Sequence, residues 1–247
     1  MLAQTAHRPW PMPQQPWVMA MRWHDLLFMH WPIQSDAIRQ YVPPQLTIDT
    51  FDGTAWIGVV PFRMSGVRPR LISPLPGISA FPEINVRTYI TVEGKPGVWF
   101  ISLDAGNPIA VEAGRDVFHL PYYNARMTCE LVGGDIIQYS SLRTHRSAPP
   151  ATFQGHYRLT GPVYRSTPGT LENWLTERYC LYAANRKGQI WRSDIHHIPW
   201  PLQPAEAEIE RNTMTEQIKL LIPDTQPLLH FAPYLEVVAW WPQRLRS

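Results

Sequence analysis

The sequence predicts a mostly β chain whose strands close into a barrel or stack as a sandwich, with a few short helices outside. Three observations carry this. Around ten runs rich in Val, Ile, Thr and aromatic residues follow one another along 247 residues. Turn signals separate neighbouring runs as hairpins: Asp52-Gly53, the stretch from Glu93 to Gly97, and Gly133-Gly134-Asp135. The 26 prolines favour many turns and short elements over long helices. A parallel α/β sheet would need helices alternating with strands, and that pattern is absent.

Taken in order, residues 1–16 are rich in proline and glutamine and read as a surface segment, and residues 17–247 read as a single domain. Residues 17–23 (WVMAMRW) form the first strand. In HDLLFMHW, His24 and His30 read as polar caps on an aromatic patch. Ser35 is placed to cap a helix over 36–41, which Pro43-Pro44 ends. Strands are expected over 46–51 and 54–64, over 83–92 and 98–103, and over 125–132 and 136–143, each pair joined by one of the turns above. Asn107 is placed to cap a helix over 108–118, with Pro108 at its first position and Ile109, Ala113 and Val117 as an apolar face. Strand 152–159 follows, then a helix over 171–177 capped by Thr170, then strands over 178–184, 189–197, 205–211 and 235–241.

Composition narrows the function. Hydrophobic residues make up 45% and charged residues 17%, enough apolar material for a core. A net charge of +2 offers no broad basic field for nucleic acid. No run of about 18 apolar residues suggests a spanning helix, and the N-terminus lacks the charged-then-apolar pattern of a signal peptide. Cys129 and Cys180 read as buried thiols of a reducing compartment, so a cytosolic protein is expected. Lys95, Lys187 and Lys219 are the only lysines.

Familiar catalytic motifs are missing: no G-x-S-x-G elbow, phosphate loop, G-x-G-x-x-G or H-E-x-x-H occurs. The nine histidines have no ligand-like spacing, so neither metal nor cofactor is expected. Two segments stand out. In FPEINVRTYI, period 2 puts Glu83, Asn85, Arg87 and Tyr89 on one face and Ile84, Val86, Thr88 and Ile90 on the other. The polar face meets either solvent or a polar lumen. In GRDVFHLPYYNARM, Pro121 ends a helix just before Tyr122 and Tyr123, where the chain returns to strand. A tyrosine pair there also suits core or rim packing.

The wording RWHDLLFMHWPI, VPPQLTIDTFDGTAWIGVVPFRM, FPEINVRTYI, GRDVFHLPYYNARM, LTERYCLYA and IHHIPWPLQPAEAEI resembles the YqjF-like uncharacterised proteins over nearly the whole chain. That family is similar in turn to the acetoacetate decarboxylase superfamily. The resemblance implies a closed or nearly closed antiparallel β-barrel around a central cavity, with short peripheral helices. Gly114, Arg115, Asp116 and Pro121 match the decarboxylase active-site pattern, His119 replaces a glycine, and the two lysines of that pattern fall on Tyr122 and Tyr123. A cavity glutamate falls on Glu83. A phenol cannot form an imine, so Schiff-base decarboxylation is not expected.

Three functional classes remain. One is a binder of a small organic molecule, a carboxylate or keto compound among the candidates, through Glu83, Asn85, Arg87, His119, Tyr122 and Tyr123. Another is a lysine-independent enzyme of lyase or hydrolase type, using Glu83 as acid or base with Arg87 and Tyr122 or Tyr123. The last is a structural or interaction protein with a filled barrel. Glu83 locked to Arg87 would favour the binder, and a buried, unpaired Glu83 would favour the enzyme. Glu83 and Arg87 are expected to point inward as a mutual pair or as a network closed by Asn85 and a phenol. A homo-oligomer is left open.

Overall fold

The structure is a computed structural model that describes residues 1–245. Its strands are β1 (Met19–Ile33), β2 (Thr47–Ile48), β3 (Ala55–Pro69), β4 (Phe81–Val92), β5 (Lys95–Ala105), β6 (Tyr122–Val132), β7 (Ile136–Arg143), β8 (Thr152–Leu159), β9 (Cys180–Ala184), β10 (Ile190–His196), β11 (Ala205–Asn212), β12 (Leu228–Ala239) and β13 (Gln243–Arg244). The helices α1 (Ser35–Arg39), α2 (Pro108–Val117) and α3 (Leu171–Thr176) are short.

β4 pairs with β3 on one side and β5 on the other, and this second pairing closes a ring of seven strands: β5, β9, β10, β12, β1, β3 and β4. From β5 the sheet continues through β6, β7, β8 and β11, which fold over the ring. Tyr139, Phe153 and Tyr157 of this second layer share a core with Met29, Val59 and Val86 from the outside of the ring. The lumen has its own core, including Leu26, Phe28, Val60, Phe62 and Val237. Each such side chain, fully buried, contributes roughly 1.5–3 kcal/mol. A buried bidentate pair ties the layers together: Arg143 of β7 donates from Nε and Nη2 to Asp104 of β5, at 2.8 and 2.5 Å.

Most pairings are antiparallel, but β5 runs parallel to both β6 and β9. The first follows from α2, because parallel neighbours need a crossover connection rather than a hairpin. The expected five-residue turn after β4 is tighter: Glu93 and Gly94 both take positive φ (51° and 71°), and Val92 pairs directly with Lys95. Lys95 is therefore a strand residue. Asp52-Gly53 forms its turn, with φ of 47° and 78° and Phe51 bridged to Thr54. β2 nevertheless pairs with β4 instead of β3.

Two helix expectations are corrected. α1 starts at Ser35 itself, with Gln34 at the cap and no side-chain cap bond. In α2, Asn107 does cap, accepting from the N–H groups of Ile109 and Ala110. The Ile109, Ala113, Val117 stripe, however, faces outward; Ile109 is 62% exposed, and Val111 and Gly114 are the buried residues. The patch at residues 24–33 continues β1 as strand, with an irregularity between His24 and Met29 where Asp25 takes φ 51°. Both cysteines are free. No helix among the described residues is long and apolar enough to cross a membrane.

Candidate functional site

The ring encloses a cavity of about 180 Å³. Most of its wall is apolar, including Met19, Met21, Met64, Phe62 and Phe100, and no lysine is among its described lining residues. It reaches the surface beside α2, where the lining residue Ala113 is exposed. The volume lies below the roughly 300–1,000 Å³ of drug-sized pockets. It slightly exceeds the ~150 Å³ that holds a benzene molecule.

One strand supplies three of the polar groups. In β4, Glu83, Asn85 and Arg87 line the cavity, whereas Ile84 and Val86 sit in the outer core. The pleat forces this split, since alternate side chains leave a strand on opposite faces. Register fixes their depth. Met64 pairs with Phe81, Phe62 with Glu83, Val60 with Asn85 and Gly58 with Arg87. From the end at Met19 and Val67, Glu83 is therefore reached first; the Arg87 backbone lies about 13 Å further along, at roughly 3.3 Å per residue, and its side chain turns back to Asn85.

Glu83 is 2% exposed. The Tyr122 hydroxyl donates to its Oε2 at 2.7 Å. Burial pushes the Glu83 carboxyl up to about 7; hydrogen bonds from Tyr122 and Asn85 and the charge of Arg87 hold it from rising further. Burial, with the neighbouring Glu83, keeps the Tyr122 phenol well above its ordinary value, so it stays a donor. Arg87 donates from Nε to Asn85 Oδ1 at 2.9 Å, and its guanidinium lies over Phe28 and Phe100 at 5.5 and 5.9 Å from the ring centres. Burial lowers its pKa, and Glu83 and Tyr89 oppose that through space. Glu83 and Arg87 thus belong to a network through Asn85 and the phenol, not to a direct ion pair.

The helix turn before β6 positions the phenol. A Cβ on Gly114 would lie 2.4 Å from Tyr122 Cδ2, so only glycine lets α2 approach the ring this closely. Arg115 donates to the Tyr122 carbonyl at 2.6 Å.

Tyr123 and His119 are elsewhere, which corrects the expectation that they share the site. Tyr123 follows Tyr122 in a strand and so leaves on the other face; its ring lies under the Arg143 guanidinium at 4.1 Å and meets His145 edge-on. His119 takes φ 56° at the end of the helix and packs on Trp191 at 5.0 Å. Sequence reasoning missed Met19, Met21, Trp23, Arg178 and His197, which all line the cavity. The alternation of Met19, Met21 and Trp23 in WVMAMRW is visible, but it reads equally well as core. No group of three or more metal-ligating side chains occurs among the described residues.

Residues 20–236 match the family described as "Uncharacterized conserved protein", DUF2071. The chain belongs to this DUF2071 family. The uncharacterized protein YqjF of Bacillus subtilis (strain 168) is 44% identical over 224 residues, covering 91% of each chain. Solved structures extend the likeness of this DUF2071 chain to its fold. The enduracididine biosynthesis enzyme MppR complexed with pyruvate superposes with a TM-score of 0.63 at 12% identity, covering 94% of this chain and 91% of that one. Acetoacetate decarboxylase from Legionella pneumophila gives 0.60 at 12% identity, covering 99% and 95%. The fold is that of the acetoacetate decarboxylase-like proteins.

Proposed function

We propose that the lumen binds a small organic molecule whose polar part meets Glu83, Asn85, Arg87 and Tyr122, without covalent attachment to a lysine. The observation that carries this reading is a cavity inside the ring whose mostly apolar wall carries a hydrogen-bonding cluster of Glu83, Asn85, Arg87 and Tyr122. A filled barrel fits that cavity poorly. An imine fits its chemistry poorly, because a phenol stands where the resembling decarboxylases carry the amine. Native mass spectrometry of protein purified from its own host tests the reading. A co-purifying small molecule that leaves on denaturation is expected; an empty protein, also empty after incubation with a panel of carboxylates and carbonyl compounds, would refute it. Reduction with borohydride in the presence of acetoacetate or pyruvate is expected to leave Lys95, Lys187 and Lys219 unmodified.

The state of Glu83 favours a second reading. A carboxyl held near 7 sits where a general acid or base works best. Since Glu83 is buried without an ion pair, a lysine-independent lyase- or hydrolase-type reaction fits the same site, with Glu83 moving the proton and Tyr122 donating to it. Turnover of a bound compound that is lost in Glu83→Gln, while binding persists, would separate catalysis from binding alone.

A further inference from the structure

We infer that the ligand of the lumen is an apolar-tailed monocarboxylic acid that enters head-first, its carboxylate on the Arg87 guanidinium and its tail along the methionine-lined channel to the mouth beside α2. This rests on the lumen-binding reading above and adds the class of ligand and its direction.

The head assignment comes from Arg87. Nε is satisfied by Asn85, but neither Nη1 nor Nη2 has an acceptor among the described residues, and neither is sealed away as a buried orphan. Arg87 lines the cavity and stays partly exposed inside a closed barrel. A guanidinium so placed offers two parallel N–H donors to a planar anion, the geometry that a carboxylate fills. No carboxylate of the protein takes that place. Asp49, Asp104 and Asp194 are each engaged by other arginines, and Glu83 accepts from Tyr122. The aromatic rings of Phe28 and Phe100 flank the guanidinium.

The tail assignment comes from the order of residues towards the mouth. Level with Glu83 and beyond it, the wall includes Phe62, Met64, Met21, Met19, Val67 and Ala113. Methionine side chains are unbranched and adaptable, and suit chains of differing shape. A carboxylate pointing the other way would face this wall and leave Arg87 without a counter-charge, which is the costlier arrangement. The volume limits the ligand to roughly benzene size or somewhat larger, so a short aliphatic chain or one aryl ring.

The test uses the unmodified protein and matched probes. Titration calorimetry with hexanoate and phenylacetate is compared with hexanamide and phenylacetamide, which have the same shape and no charge. The acids are expected to bind at least about tenfold more tightly than the amides, as a charge-assisted bidentate contact requires. Acetate, four methylenes shorter than hexanoate, should bind about two orders of magnitude more weakly. Arg87→Met, which removes one hydrogen bond from the fold, should erase the preference of acid over amide. Equal binding of acid and amide would overturn the anion assignment and leave lumen binding standing. Acid binding undiminished in Arg87→Met would overturn it too, by placing the acid elsewhere. Binding of neither probe class would also overturn it, and the mass measurement above then decides separately whether the lumen holds anything.

Discussion

Replacing Glu83 by Gln tests the proton state on which the site depends. Glu83 is raised by burial from 4.5 to about 7 in the folded chain. A carboxyl raised on folding contributes its full stability below the unfolded value and loses it as pH rises through the folded one. At 1.36 kcal/mol per pH unit, the interval from 4.5 to about 7 amounts to about 3 kcal/mol of stability lost by the parent chain between mild acid and pH 8. Glutamine has the shape of the protonated acid and does not titrate. It adds a roughly constant offset of about 1 kcal/mol, because its amide cannot reproduce every hydrogen bond with Tyr122 and Asn85. Urea denaturation of both proteins at pH 5 and pH 8 measures the difference, from which other titrating groups cancel. The expected outcome is a variant slightly less stable than the parent at pH 5 and about 2 kcal/mol more stable at pH 8. A difference that stays flat would show that Glu83 does not titrate in this window. A variant that is worse at pH 8 by about 3–5 kcal/mol would show an ionised Glu83 paired with Arg87, and the network described above would be wrong.

Two further substitutions probe how the site is held. Gly114→Ala puts a methyl group 2.4 Å from Tyr122 Cδ2; repacking should cost about 1–3 kcal/mol, less the helix preference of alanine of about 1 kcal/mol, and ligand affinity should fall because the phenol leaves Glu83. Unchanged affinity, measured by calorimetry, would show that the Tyr122–Glu83 contact does not matter for binding. Asp104→Asn removes the carboxylate charge that Arg143 grips with two hydrogen bonds and should destabilise by about 3–5 kcal/mol, towards the lower end because the Pro149 carbonyl also accepts from Arg143; a denaturant midpoint within error of the parent would refute it.

The polar face of β4 was legible because FPEINVRTYI has an unbroken period of 2, and the pairing of β4 with β3 runs without a register shift. Whether that face met lumen or solvent was not legible. An alternating strand looks the same in both cases, and the answer depends on β5 closing the ring, a pairing set by the Glu93-Gly94 turn and by distant strands. The α2 stripe misled for a related reason. Ile109, Ala113 and Val117 do align on one face, but Asn107 and Gly114 decide the rotation, since Gly114 alone can lie against Tyr122. The tyrosine pair was half legible: two adjacent strand residues cannot share a face, so one had to leave the cavity, and only contact with Arg143 identifies it as Tyr123.

An amine in place of the phenol at position 122 would change more than the nucleophilicity of the site. A protonated lysine about 2.7 Å from Glu83 would stabilise the carboxylate and draw its pKa down, as opposite charges at hydrogen-bond range do. Tyr122 carries no charge, and burial of the phenol together with the nearby carboxyl pushes it away from ionising. Its hydrogen bond opposes the desolvation of Glu83 but does not overcome it, so the acid stays near neutral. When Glu83 is protonated, Arg87 is the full charge among the cavity-lining residues of β4, and its Nη groups have no acceptor among the described residues. A neutral phenol beside Glu83 and Arg87 Nη groups without a protein acceptor therefore act in the same direction, and both suit the anion proposed above.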